Sequence, residues 1–284
     1  MIVFLNGDWI EYDDARIPIS DRGFLFSDGV FETARLHQGK YFRLPQHLER
    51  LQQSASTLAL SLPPLDRLGA LAQEIAQRNQ LAEASLRITV TRGRGGAGLK
   101  THGAQHPTLL VTLTEIAADW RERAARGWSL VTARTLRPAP ESVPAQLKAL
   151  GRVYAILAAL EAEQADADDA LLLTADRQIA EGPTWNFFWR KGQVLRTAAL
   201  AGGILEGVTR SIIIDIARRE GFRVEEGLWP RAELDDADEA FATMTSQGVV
   251  PIRSIDGRAL GPADCASLFQ RRYWEQVERE LRAS

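Results

Sequence analysis

The chain has 284 residues, 45% hydrophobic and 25% charged, which is the composition of a soluble globular protein long enough for two domains. A net charge of −3 gives no electrostatic case for nucleic acid or an anionic membrane, and no apolar run approaches the roughly 20 residues that span a bilayer. The single Cys265 excludes an internal disulfide and a cysteine-rich metal site, the four histidines lack zinc-ligand spacing, and the first residues do not read as a signal peptide, so no metal and a cytoplasmic location are expected.

In chain order, residues 2–5 and 9–10 flank Asn6-Gly7 as a hairpin. Residues 30–37 and 40–44 read as strands around the Gln38-Gly39 turn, and Pro45 opens a helix striped by Leu48, Leu51, Ala55, Leu58 and Leu60. A second helix is expected over 65–79. Strands follow at 85–91 and 108–114, with a glycine-rich loop from Gly93 to Gly103 between them. The polar stretch 117–126 reads as a linker between a small N-terminal domain (1–116) and a large C-terminal domain (127–284). In the second domain, strands are expected at 128–133, 170–173, 184–189, 193–197, 222–225, 239–243 and 248–254. Helices are expected at 152–164, with Val153, Ile156, Leu157 and Leu160 on one side, at 208–220, and for about 20 residues from Pro262. Strands and helices mix throughout, which predicts two α+β domains rather than a doubly wound sheet.

Only four residues are lysine, against thirty arginines. Lys40, Lys100 and Lys191 lie in polar loops or turns, whereas Lys148 precedes an apolar helix in semi-apolar surroundings. Desolvation penalises the charged amine, and a neutral lysine attacks a carbonyl to form a Schiff base; a lysine snorkelling from a helix end has the same local sequence. Gly203-Ile204-Leu205-Glu206-Gly207-Val208-Thr209-Arg210 runs a loop into a helix. Free backbone N–H groups and the Thr209 hydroxyl at such a start suit a phosphate, or Thr209 simply caps the helix. Met244-Thr245-Ser246-Gln247-Gly248 is a plain turn or a second phosphate wall. Glu181, in Glu181-Gly182-Pro183-Thr184-Trp185-Asn186, is a solvated loop acid or the anionic partner of a pyridinium nitrogen. Arg50, in His47-Leu48-Glu49-Arg50-Leu51, is a surface arginine or a bidentate phosphate clamp. Together these groups match the needs of pyridoxal 5'-phosphate.

In this order the residues resemble the class IV aminotransferase family, the fold type IV pyridoxal-phosphate enzymes. That family includes branched-chain and D-amino-acid aminotransferases, (R)-selective amine transaminases and aminodeoxychorismate lyases. The likeness runs from the Asn6-Gly7 hairpin to about Ile252, with residues 20–32 resembling the N-terminal signature. The resemblance implies a two-domain D-amino-acid-aminotransferase-like fold with the cofactor in the interdomain cleft, and a homodimer with shared active sites. It implies Lys148 as the Schiff-base lysine and Glu181, followed by Asn186, as the partner of the pyridine nitrogen. It implies Arg50, Gly207, Val208, Thr209, Thr245 and Ser246 around the phosphate.

Two positions depart from the pattern. Val153 stands where many members carry a tyrosine, with Tyr154 next to it, and Phe31 stands where D-amino-acid enzymes typically carry a tyrosine. The resulting expectation is ping-pong transfer of an amino group from a D-amino acid, or a broad range of amino acids, to a 2-oxo acid. Phe31, Thr33, Arg92 and Arg94 are the candidate substrate contacts, the two arginines as carboxylate clamps or as solvated loop residues. The alternatives are an aminodeoxychorismate lyase, resembled by residues 33–35, 91–98 and 188–192, and an (R)-selective amine or branched-chain aminotransferase. Gly151, where lyases tend to carry asparagine, favours transamination.

Overall fold

The computed structural model describes residues 1–95, 98–104 and 106–283. The chain divides into two compact units, Met1–Ala117 with Leu147–Gly151, and Ala118–Gln146 with Arg152–Ser284.

In the first unit β1 (Ile2–Leu5) and β2 (Asp8–Glu11) form the expected hairpin, with Asn6 and Gly7 both at positive φ in its turn. With β3 (Gly29–His37), β4 (Lys40–Tyr41), β5 (Ala84–Thr91) and β6 (Thr108–Glu115) they make a six-stranded antiparallel sheet in the order β2-β1-β6-β5-β3-β4. A short helix α1 (Arg22–Phe26) precedes β3. Strand β4 stops at Tyr41 rather than at Leu44, because Leu44 and Pro45 already belong to α2 (Leu44–Thr57). Helix α3 runs Leu65–Asn79 as expected. Leu48, Leu51 and Ala55 of α2 and Leu68, Leu71 and Ile75 of α3 pack with Val30, Leu36, Leu86, Ile88 and Val111 of the sheet. Alternation along β5 sends Leu86, Ile88 and Val90 into that core and leaves Arg87 half-buried off it.

Leu147–Gly151 makes its contacts in this unit although it lies far along the chain. The Phe31 N–H donates to Lys148 O (3.1 Å) and the Leu150 N–H to Gly29 O (3.0 Å), with Ala149 bridged to Val30. The Lys148 N–H donates to Ser54 Oγ of α2 at 3.1 Å. Lys148 is thereby zipped to the start of β3.

In the second unit β7 (Trp128–Leu136), β8 (Asp169–Leu173), β9 (Asn186–Lys191), β10 (Val194–Ala198), β11 (Arg223–Gly227), β12 (Glu239–Met244) and β13 (Gly248–Ile255) form a mixed sheet in the order β11-β10-β9-β12-β13-β7-β8, and β14 (Arg258–Ala259) pairs with β13. Within the polar stretch 117–126, α4 (Trp120–Ala125) buries Trp120 against Trp274, their ring centroids 4.7 Å apart. Three further helices complete the unit: α5 (Val153–Gln164), α6 (Val208–Arg219) and α7 (Asp264–Ala283). Helix α5 presents small residues to the sheet. Ala158 and Ala162 pack with Ala133, Ala170 and Leu172, while Val153, Ile156, Leu157 and Leu160 are 65, 61, 46 and 44% exposed. No helix among the described residues is long and apolar enough to cross a membrane.

Gly29 is a tight point of the first unit, because a Cβ there would lie 2.7 Å from both Leu150 Cδ1 and Val90 O. Gly29→Ala is expected to lower stability by about 1–3 kcal/mol in urea melts, because a backbone carbonyl in a ladder cannot step aside. Unchanged stability would mean that both Leu150 and the β3–β5 ladder yield to the added methyl.

Candidate active site

In the first unit the chemistry gathers on one buried carboxylate, Glu32 of β3, only 2% exposed. Lys148 Nζ donates to Glu32 Oε1 at 2.7 Å and to Thr33 Oγ1 at 3.2 Å. Arg50 of α2 grips the same carboxylate with both arms, Nε to Oε2 at 2.7 Å and Nη2 to Oε1 at 2.8 Å. His47, one helical turn earlier, sets Nδ1 3.4 Å from Oε1. Burial alone would raise the Glu32 carboxyl, but Lys148 and Arg50 beside it hold it well below the usual carboxylate range. Burial pushes His47 down, favouring the neutral imidazole at neutral pH.

Phe31 is buried next to this cluster, with Lys148 Nζ 5.3 Å from its ring centroid. Arg87 lies across the ring with its guanidinium carbon 3.8 Å from the centroid, and it pairs in register with Thr33. Phe31, Thr33, Lys148 and Arg87 therefore meet. The other two candidate substrate residues do not join them in the same way. Arg92 grips Asp28 (Nε to Oδ2 2.8 Å, Nη2 to Oδ1 3.0 Å) and also donates to the Leu58 and Ala59 carbonyls past the end of α2. Arg22 Nε shares Asp28 Oδ2 at 2.8 Å and also donates to the carbonyls of Gly98, Leu99 and Lys100, fixing that part of the glycine-rich loop. Arg94 is exposed and lines a cavity of about 550 Å³ with Asn6, Arg67 and His106. Gly96 and Ala97 of the same motif lie outside the described residues.

In the second unit the corresponding centre is Glu181, 3% exposed. Its Oε2 accepts from Asn186 Nδ2 (2.9 Å) and the Leu205 N–H (3.0 Å), and Arg137 Nη1 lies 2.5 Å from Oε1. Burial raises the Glu181 carboxyl against the opposing pull of Arg137 and the Leu205 N–H. Gly182 is required by the fold of this loop, since a Cβ there would lie 1.9 Å from the Trp185 ring. Arg137 also donates to Gly203 O, and its Nη1 lies 3.1 Å from the Tyr154 hydroxyl, so Tyr154 reaches Glu181 through that arginine.

Asn186 also donates to Leu205 O at 2.8 Å, and a Cβ on Gly207 would come within 2.0 Å of Asn186 Oδ1. Gly207 is thus pressed onto Asn186 at the start of α6, and as the N-cap it offers no side-chain acceptor. The first-turn N–H groups of α6, from Val208 and the buried Thr209, keep the partial positive charge of a helix start. Across the sheet Asn186 pairs with Thr243, whose buried Oγ1 has no partner among the described residues; the turn with Thr245 and Ser246 follows directly. Glu181, Asn186, Gly207 and the Thr245-Ser246 turn therefore share one end of the second sheet.

Glu32, Arg137 and Arg87 were not singled out from sequence. Arg87 sits inside the alternating strand β5, where a charged residue normally faces solvent, and Glu32 sits in β3, which is buried on both faces. Arg137 follows a strand without any motif. The one available signal was Glu32 lying within a segment that resembles the family signature.

The profile of the amino-transferase class IV family matches residues 29–255. A putative branched-chain-amino-acid aminotransferase of Methanocaldococcus jannaschii is 33% identical over 92% of this chain and 90% of its own. The D-alanine aminotransferase of Bacillus licheniformis is 31% identical over 92% and 90%. The aminodeoxychorismate lyase of Bacillus subtilis is 30% identical over 99% and 96%. Among solved structures, the branched-chain aminotransferase of the thermophilic archaeon Thermoproteus uzoniensis superposes with a TM-score of 0.90 at 28% identity, covering 98% of this chain and 94% of that one. A further solved branched-chain amino acid aminotransferase, holding pyridoxamine 5'-phosphate, superposes with a TM-score of 0.92, also at 28% identity. The chain belongs to the class IV aminotransferase family. Its fold is that of the fold type IV pyridoxal-phosphate enzymes.

Glu32→Gln removes the anion that Lys148 and Arg50 share, and it is expected to cost about 3 kcal/mol or more at neutral pH. Because the folded carboxyl titrates below the unfolded one, its stabilisation is complete above the unfolded value and is lost as pH falls through the folded one. Urea melts from pH 7 downward should therefore show the wild type losing its advantage over E32Q below about pH 4. A constant gap at every pH would contradict the charged cluster.

Proposed function

We propose that the protein is a pyridoxal-phosphate-dependent aminotransferase that moves an amino group from an amino acid, D-configured or of broad range, to a 2-oxo acid by ping-pong turnover. The observation that carries this reading is Lys148: a scarce lysine held by backbone pairing on β3, its amine fixed on buried Glu32 and Thr33. The residues suit the cofactor. A half-buried lysine serves its aldehyde, and the anionic Glu181 serves its ring nitrogen. The uncapped start of α6 with Thr209, and the Thr245 and Ser246 hydroxyls, serve its phosphate, with Arg50 as a cationic contributor. When bound, the cofactor supplies an aldehyde that condenses with amines and a ring that withdraws electrons from the substrate α-carbon.

The protein's own groups do the rest. Lys148 Nζ would hold the cofactor through its aldehyde and, when free, would take the proton from the substrate α-carbon as general base and deliver it, as general acid, to the carbon that carried the aldehyde. Thr33 and Glu32 orient that amine. Glu181, made more basic by burial, would hold a proton at the ring nitrogen, and Asn186 and Arg137 fix its two oxygens. Arg87, lying over Phe31 beside Lys148, is suited to a substrate carboxylate, which favours amino acids over simple amines. Arg92, engaged by Asp28 and two carbonyls, contributes by ordering the loop that carries Arg94.

A second reading, the lyase that forms 4-aminobenzoate and pyruvate from aminodeoxychorismate, draws on the lyase relative and on residues 91–98 and 188–192. In the latter segment Arg190 pairs with Glu239 at 2.8 Å and Lys191 with Asp236 at 2.7 Å, so both charges have partners within the protein.

The functional assembly is a homodimer. The exposed apolar residues Val153, Ile156, Leu157 and Leu160 recur at helical spacing on α5 and form a stripe suited to a second copy of the chain. Ile156→Asp with Leu160→Asp is expected to shift sedimentation from dimer to monomer; an unchanged dimer would place the interface elsewhere.

The deciding experiment is an absorbance titration of the holoenzyme with D-alanine, D-glutamate, L-leucine and (R)-1-phenylethylamine. One amino acid is expected to convert the lysine-bound band to that of the aminated cofactor. Lys148→Ala should lack the lysine-bound band and lose turnover by about a thousandfold or more. A band unmoved by every donor, with pyruvate released from aminodeoxychorismate, would replace transamination with the lyase reading.

A further inference from the structure

We infer that Gln270 of α7 is a positioning residue for the Thr245-Ser246 turn; the inference rests on the reading of that turn as a phosphate-holding element. The turn joins β12 to β13, and Met244 pairs with Gly248 across its base. The side-chain amide of Gln270 holds the backbone on both sides of Gly248. The Val249 N–H donates to Gln270 Oε1 at 2.7 Å, and Gln270 Nε2 donates to Gln247 O at 3.1 Å. One side chain thus satisfies a donor and an acceptor of the loop backbone, groups that would otherwise have to find water.

The glycine makes this clasp possible. Gly248 adopts φ +77°, and a Cβ there would lie 2.8 Å from both Gln270 Oε1 and Tyr273 Cδ1. The amide and the ring therefore close directly over the glycine, and the turn conformation is fitted to α7 rather than set by the hairpin alone. Behind the clasp lies a cavity of about 650 Å³, lined by Gln270 with Val249, Pro251, Ala266 and Trp274. Because Val249 and Gln270 both line it, the chain leaving the turn has room to shift once the amide is removed. Hydroxyls that hold a phosphate depend on placement to within a fraction of an ångström, so a relaxed turn weakens the grip on that group without touching the lysine or the ring-nitrogen partner.

The test is a binding measurement on the full-length apoprotein, titrated with pyridoxal 5'-phosphate and with pyridoxal, which lacks the phosphate. Q270L is expected to bind pyridoxal phosphate about tenfold more weakly than wild type while keeping the wild-type Kd for pyridoxal. Q270E keeps an acceptor for the Val249 N–H but sets a carboxylate oxygen against the Gln247 carbonyl, so it too should weaken pyridoxal phosphate and spare pyridoxal; it keeps the comparison decisive if Q270L does not fold. Wild-type affinity for pyridoxal phosphate in both variants, or an equal loss for both ligands, would overturn the positioning role. A wild type that does not itself prefer pyridoxal phosphate over pyridoxal would instead overturn the phosphate reading of the turn, and the inference with it.

Discussion

Much of the candidate chemistry depends on the burial of a single anion, the Glu32 carboxylate. Two cations, Lys148 and Arg50, reach it from a segment and a helix far apart in sequence with three nitrogens, and His47 brings a fourth to 3.4 Å. Placing any of these groups alone in the interior would carry a large desolvation penalty; together they neutralise and bond one another. The backbone ladder between Phe31, Gly29 and residues 148–150 secures the arrangement, because it fixes where the lysine side chain starts. The Lys148 amine is thus fixed from both its main chain and its partners, as the nucleophilic role proposed for it requires.

The second buried carboxylate behaves in the opposite sense. Glu181 is almost as enclosed as Glu32, yet its carboxyl is raised while that of Glu32 is lowered. The difference lies in the neighbours. Glu32 faces Lys148 and a bidentate arginine, whereas Glu181 has Arg137 on one oxygen and two neutral donors, Asn186 and a backbone N–H, on the other. A strongly stabilised anion suits a structural counter-charge. A more basic one suits sharing a proton with a ring nitrogen.

Helix α5 shows that a periodic pattern fixes which residues share a side but not what that side meets. Val153, Ile156, Leu157 and Leu160 do lie on one side, but alanines occupy the face against the sheet and the larger side chains face outward. Periodicity reports that a face is apolar and not what covers it. The same limit applied to Arg92. Its place on a glycine-rich loop suggested a substrate clamp, and only the folded chain showed Asp28 and the α2 carbonyls within its reach.

From sequence alone, the order and type of most elements, the family resemblance and the candidacy of Lys148, Glu181, Arg50, Thr209 and the Thr245-Ser246 turn were legible. Each rests on local pattern: strand alternation, helix starts, turn glycines, or a residue type out of its usual place. Tertiary structure alone decided that Lys148 zips onto β3, that Glu32 joins it to Arg50, that Arg137 links Tyr154 to Glu181, and that Gln270 holds the Gly248 turn. The side-chain bonds concerned span from 17 residues, between Arg137 and Tyr154, to 116, between Lys148 and Glu32. Hydrogen bonding and charge neutralisation act through space, so no local pattern in a single sequence records which distant partner will arrive.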